Sequence, residues 1–201
     1  MNKWEIISYL TNALSFASLV FLILIYLYSN TLSIIQIILI SVVCILFSTL
    51  IPLAYILFFI EKEWKIHHVR IDYDFSDRKY RIKPLIVAVL SYGFGTLLLF
   101  LLDTPSLIKG LMFCYFINTL IITIITLFWK ISVHTAGITG PLTILIYKLG
   151  AFYLPLYLLV IPVGLARIKL KEHTFVQVVS GALLIIFTTW LQIIFIINPM
   201  F

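Results

Sequence analysis

Charge is what this sequence has least of. Of its 201 residues only 11% are charged while 63% are hydrophobic, and the mean hydropathy is +1.16. A soluble domain is about 25% charged and about 45–50% apolar. A chain this poor in charge has too little polar surface to cover a globule in water, and the same shortage excludes disorder. Cysteine is scarce as well. Cys44 and Cys114 both lie inside apolar runs, which argues against a disulfide framework or a metal site and leaves two small buried hydrophobes. Internal repeats and low-complexity tails are missing, and no Arg-rich stripe with interleaved aromatics offers a surface for nucleic acid. The length allows one compact domain. What remains is an all-α, polytopic transmembrane helical bundle.

A spanning helix needs about 20 apolar residues. Residues 6–28 read as a signal anchor that is retained, since no small-x-small cleavage site follows them. Residues 33–60 give a longer span with Pro52 inside it, where a kink is expected. Residues 61–83 are the one long hydrophilic loop, and the core follows over 84–201. Segments 84–102 and 107–129 are clean spans joined by Asp103-Thr104-Pro105-Ser106, and the last span covers 176–197. Between them, 135–165 is apolar but interrupted by Gly137, Gly140, Pro141, Gly150, Pro155, Pro162 and Gly164. That density of breakers predicts two short helices, 135–147 and 151–165, with Gly150 as a C-cap. The expectation is five full and two short segments in one transmembrane domain.

Lys and Arg number 14 against 8 Asp and Glu, giving +6 and a pI near 9.3. The bases lie between spans, which points to anionic lipid head groups or a phosphorylated substrate as partners. Because 84–129 and 135–165 are both hairpins, three polar clusters far apart in sequence return to one end of the bundle. The first ends in Arg78, Lys79, Arg81 and Lys83; Arg78 and Arg81, three residues apart, are expected on one helical face. The second is Lys130-Ile131-Ser132-Val133-His134. In the third, Arg167-x5-His173-x3-Gln177, the i and i+4 spacing puts His173 and Gln177 within hydrogen-bonding reach. Two histidines with Arg, Lys and Ser at one membrane face are the set that phosphoryl transfer through histidine requires. A neutral imidazole attacks phosphorus, cationic groups hold the equatorial oxygens, and a second histidine protonates the leaving oxygen.

These three clusters resemble the signatures of the type-2 phosphatidic-acid phosphatase superfamily, the membrane histidine phosphatases, whose motifs are K-x6-R-P, P-S-G-H and S-R-x5-H-x3-D. The third appears as Ala166-Arg167-x5-His173-x3-Gln177 with Val178 and Gly181, the second as Ile131-Ser132-Val133-His134. The first is reduced to a basic residue before Pro84, with Ser76 at the lysine position. The resemblance covers residues 75–190 and implies a phosphatase-like core acting on lipid phosphates or diphosphates without metal or cofactor. It implies His173 as nucleophile, His134 as general acid and Gln177 as its orienting partner. Arg167, Ser132, Lys130, Arg78, Arg81 and Lys83 would hold phosphate.

Gln177 stands where the family has an aspartate. A glutamine carbonyl fixes a histidine tautomer but brings no negative charge; Glu172, Asp72, Asp74 and Asp77 are the carboxylates available to supply one. Three rival readings exist. The first is a family member that retains the fold without turnover and binds lipid phosphate or has a structural role. The second, from Asp72-x-Asp74-x2-Asp77, is a magnesium-dependent prenyl or alcohol phosphotransferase. The third is a transporter. His67-His68 reads as interfacial. Counting Lys3, Lys62, Lys65 and Arg70 against Lys109 and Lys148 puts the motif end in the cytoplasm of a multi-pass cell-membrane protein.

Overall fold

The computed structural model describes residues 3–10, 12–68, 75 and 77–200, and the described residues are helical with short connections. The helices are α1 (Lys3–Leu10), α2 (Ala13–Leu27), α3 (Ile34–Ile45), α4 (Ile51–His67), α5 (Ile82–Leu101), α6 (Ser106–Phe128), α7 (Val133–Leu149), α8 (Val160–Lys169) and α9 (Phe175–Gln192). Among the described residues, five continuous helical stretches are long and apolar enough to cross a membrane: Ile34–Ile66, Arg78–Leu101, Ser106–Phe128, Ala151–Lys169 and Phe175–Ile197. This is consistent with an integral membrane protein.

The number of long spans matches the expectation, but their membership does not. The anchor expected over 6–28 breaks at Asn12, whose Oδ1 accepts the Leu14 N–H at 2.9 Å and starts a new helix. Only fifteen residues follow in α2. Conversely, 151–165 is not a short helix. Gly150, at φ 100°, ends α7, and Ala151–Leu159 then winds as a 3-10 helix before α8. With rises of about 2.0 and about 1.5 Å per residue, the stretch to Lys169 extends about 33 Å, enough for a bilayer core. Pro162 falls in the first turn of α8, where its missing N–H is no loss. The loop expected over 61–83 is shorter too, because α4 continues to His67. Upstream of it, Leu46–Leu50 form a π-turn that accommodates Pro52 in an otherwise continuous helix. The Asp103–Ser106 connection is the tight turn expected, with Asp103 at φ 48° and Thr104 N–H on Leu99 O. Cys44 and Cys114 are buried free thiols.

Helix α7 is the hub. It covers the helix expected over 135–147 with Gly150 as its C-cap, holds Gly137, Gly140 and Pro141 in its interior, and is buried from Ile138 to Ile146. The glycines serve close packing, as small residues do between membrane helices. A Cβ on Gly137 would lie 2.4 Å from Ala13 Cβ of α2. On α9, a Cβ on Gly181 would lie 2.7 Å from Ser132 O, so only glycine lets α9 press against the start of α7. Thr135 Oγ1 seals that approach by donating to Val178 O at 3.1 Å. A buried amide network, unforeseen in the sequence, ties α6 to α9. Asn118 Nδ2 donates to Thr189 Oγ1 at 2.9 Å, and Asn118 Oδ1 accepts from Thr188 Oγ1 and Gln192 Nε2.

Candidate functional site

The Arg167-to-Gln177 spacing has a local cause. Helix α8 ends in a Schellman turn: Lys171 adopts φ 59°, its N–H bonds Ile168 O, and the Glu172 N–H reaches back to Arg167 O at 3.0 Å. Three residues past Lys171, Thr174 caps α9, its Oγ1 accepting the Gln177 N–H while Gln177 Oε1 accepts the Thr174 N–H at 3.1 Å. That is a capping box. His173 sits between the two motifs, buried at 6% exposure, and its Nδ1 lies 3.1 Å from Gln177 Oε1.

This geometry fixes the histidine tautomer. A backbone N–H can only donate, so the Gln177 atom facing Thr174 is the carbonyl oxygen, and His173 Nδ1 must carry a proton to bond it. On the other side of the ring, Nε2 lies 3.4 Å from Arg81 Nη2, a group that has no lone pair to offer. Nε2 therefore presents its lone pair toward the guanidinium.

Burial pushes the His173 pKa down to about 3, helped by the cationic Arg81 and Lys130 and, more weakly, Arg167; the Gln177 bond opposes the shift. The ring is thus neutral at physiological pH. Two consequences follow. Catalysis carried by this imidazole has no acid limb near its ordinary value of 6.5; kcat/KM measured from pH 5 to 8 should not fall because of it. Stability behaves differently. Below pH 6.5 the unfolded chain binds a proton that folded His173 refuses, so stability drops as pH falls from about 6.5 toward about 3. Thermal unfolding of wild type and His173→Ala across that window should separate on this slope.

The other sequence-chosen residues fall into two groups. Arg81 comes inward: it is 5% exposed, its Nε donates to Phe75 O at 2.6 Å and its Nη1 to Ile131 O at 3.2 Å. Lys130 joins it, Nζ donating to Glu172 O at 2.6 Å and standing 3.9 Å from the Glu172 carboxylate. Arg167 is fully buried nearby, with Nη1 on Ser8 Oγ at 2.8 Å and Nη2 3.8 Å from Glu172 Oε2. Glu172 thus faces cations, and no bond from its carboxylate to His173 supplies the charge that Gln177 lacks. His134 lies in the first turn of α7, half-buried, on the wall of a cavity that Arg81 also lines. Ser132 is present but enclosed. It is fully buried, its Oγ accepts the Thr135 N–H as the cap of α7, and its own N–H donates to Gln177 O at 3.3 Å.

Arg78 and Lys83 do not join. Arg78 is exposed at the start of a 3-10 turn (Arg78–Tyr80) capped by Asp77, whereas Arg81, three residues on, is buried. The bond from Arg81 Nε to Phe75 O draws that side chain alone inward. Lys83 is exposed, with Nζ 5.5 Å from the Phe59 ring. Asp77 pairs with Lys79 at 3.2 Å. Arg70, Asp72, Asp74 and Ser76 lie outside the described residues, as does the His67 side chain, while His68 meets the Trp64 ring edge-on. Among the described residues no group of three or more His, Cys, Asp or Glu could hold a metal ion.

The cavity beside Arg81 and His134 measures about 160 Å³ and runs into the bundle between α5, α6 and α7. No protein-family model matches the chain, and neither a curated protein nor a solved structure matches it.

Proposed function

We propose that the chain is a membrane-embedded phosphatase of lipid phosphates or diphosphates that works through a phosphohistidine on His173. The observation that carries this reading is the locked imidazole: Nδ1–H on Gln177 Oε1, Nε2 lone pair directed at Arg81. A neutral ring with its lone pair aimed at a guanidinium is poised for an anion that the guanidinium will bind. The substrate phosphate takes the Arg81 donors, and Nε2 attacks phosphorus. The ester P–O bond breaks, and the leaving oxygen takes a proton from His134. Water then attacks the phosphohistidine, His134 accepts its proton, and inorganic phosphate leaves with Nε2 restored. Lys130 adds positive charge beside the ring, while Arg167 and Ser132 brace the turn and the helix start rather than contact substrate. The exposed bases at this end, among them Lys62, Lys65, Arg78, Lys79, Lys83, Lys169 and Lys171, favour its placement in the cytoplasm.

Gln177 tests the chemistry. A phosphorylated Nε2 with Nδ1 still protonated is a cation, and the glutamine dipole steadies it less than a carboxylate would. The bond to His173 needs the full reach of a glutamine side chain, so Gln177→Glu keeps the capping box and adds the charge. It should raise phosphate release about tenfold. Gln177→Leu releases the tautomer and should lower it about 100-fold or more, by analogy with the tautomer effect in serine triads. Phosphate release with equal rates in all three proteins would contradict the assigned role.

A second reading, lipid-phosphate binding without turnover, is favoured by one observation: Gln177 supplies no charge at Nδ1. Wild type that binds lipid phosphate but releases none, with Gln177→Glu equally silent, would decide for it.

A further inference from the structure

Arg81 belongs to two places at once. Its Nη2 stands 3.4 Å from His173 Nε2, and its side chain also forms part of the cavity wall, together with His134. His173 itself does not line the cavity, so Arg81 is the link between the attacking imidazole and the space beside His134. The cavity walls beyond that mouth include Pro84, Leu85, Ala88, Ile122 and Ala136. Tyr92 and Tyr115, whose rings are 5.4 Å apart, line it further along. Tyr92 lies three turns beyond Arg81 on α5, about 16 Å along the helix axis.

Volume decides what fits. The cavity holds about 160 Å³; an apolar cavity of about 150 Å³ takes one benzene, a body of six carbons. The first carbons of one hydrocarbon chain, about six, fill such a space, the rest of a longer chain lying beyond it, and two chains side by side need at least twice as much. A diacylglycerol phosphate forks at the second carbon past its ester oxygen, so its second chain would meet the walls at the mouth.

We infer that this cavity seats a single hydrocarbon chain, so that the lipid phosphate or diphosphate bound at Arg81 and His173 is a single-chain one, alkyl or isoprenoid. The phosphate end rests on the function proposed above; the chain site does not require turnover.

The test uses the full-length protein in nanodiscs with dodecyl phosphate, farnesyl phosphate and dioleoyl phosphatidate. Phosphate release is measured for wild type, and binding for His173→Ala by displacement of radiolabelled farnesyl phosphate. Both single-chain phosphates should bind and turn over at least tenfold better than phosphatidate, and the dodecyl and farnesyl arms distinguish a saturated from an isoprenoid chain. Ala88→Leu fills the cavity and should weaken single-chain binding at least tenfold; thermal unfolding checks its fold. Ile122→Ala enlarges the cavity and should narrow the discrimination against phosphatidate. Phosphatidate handled as well as the single-chain compounds, with both variants like wild type, overturns the chain site while leaving the phosphatase standing. Selective single-chain binding lost in Ala88→Leu, without hydrolysis of any probe, supports the chain site and removes the phosphatase. Absence of both binding and hydrolysis overturns both.

Discussion

Replacing His173 with alanine should abolish phosphate release, by about 10⁴-fold or more, because removal of a nucleophile leaves only the binding contribution to rate. Folding should survive. The ring makes one bond to Gln177 and one long contact to Arg81, and the capping box between Thr174 and Gln177 remains without it. Thermal unfolding of the variant within a few degrees of wild type, alongside the lost activity, is the expected pair of results. Lost activity with a collapsed melting transition would assign His173 a structural role instead.

Arg81 should affect both quantities. Its guanidinium bonds the carbonyls of Phe75 and Ile131 and faces His173, in different directions. Arg81→Ala leaves two buried carbonyls without their charged donor, which should cost about 3–5 kcal/mol of stability. It also removes the fork that would hold the phosphate, so turnover should fall about 100- to 1000-fold. Arg81→Lys is the informative control. A lysine keeps the charge but cannot reach these directions from one ammonium, so it should regain little of either loss. Full activity in Arg81→Lys would mean that charge alone, and not the fork, is what the site uses.

How much of this could be read beforehand depended on whether a pattern was local. Arg167, His173 and Gln177 were legible because a Schellman turn followed by a capping box imposes that spacing within one stretch of chain. The return of Lys130 and His134 to the same end was legible from the two hairpins. Arg81 was harder. The sequence offers four bases over residues 78–83, and contacts to Phe75 O, Ile131 O and His173, distant in sequence or outside any helix, select the one that turns inward. Ser132 was chosen for its hydroxyl; the cap it makes with the Thr135 N–H is local, but its full burial depends on α9 arriving at Gly181 and Gln177, a long-range event.

Helix α7 was legible, with its end at Gly150; the stretch after it was not, because its 3-10 turns lengthen 151–169 beyond the short helix expected there. Inside the bundle, glycine and proline in α7 allow close helix contact, and packing outweighs their low propensity. The N-terminal segment was less legible: hydropathy averaged over 6–28 concealed Asn12, a single capping residue. The network centred on Asn118 left no signal beyond isolated polar residues in apolar runs. Read as intramembrane polar groups that must find partners, Asn118, Thr188, Thr189 and Gln192 are candidates for pairing by helical position.

The most direct measurement is the covalent intermediate itself. Wild-type protein turning over ³²P-labelled farnesyl phosphate is quenched in alkali, digested, and the labelled peptide sequenced. Label on His173, stable to base and lost in acid, and absent from His173→Ala, is the predicted result. Steady phosphate release with no label on His173, or with label on a hydroxyl or carboxylate residue, would contradict it.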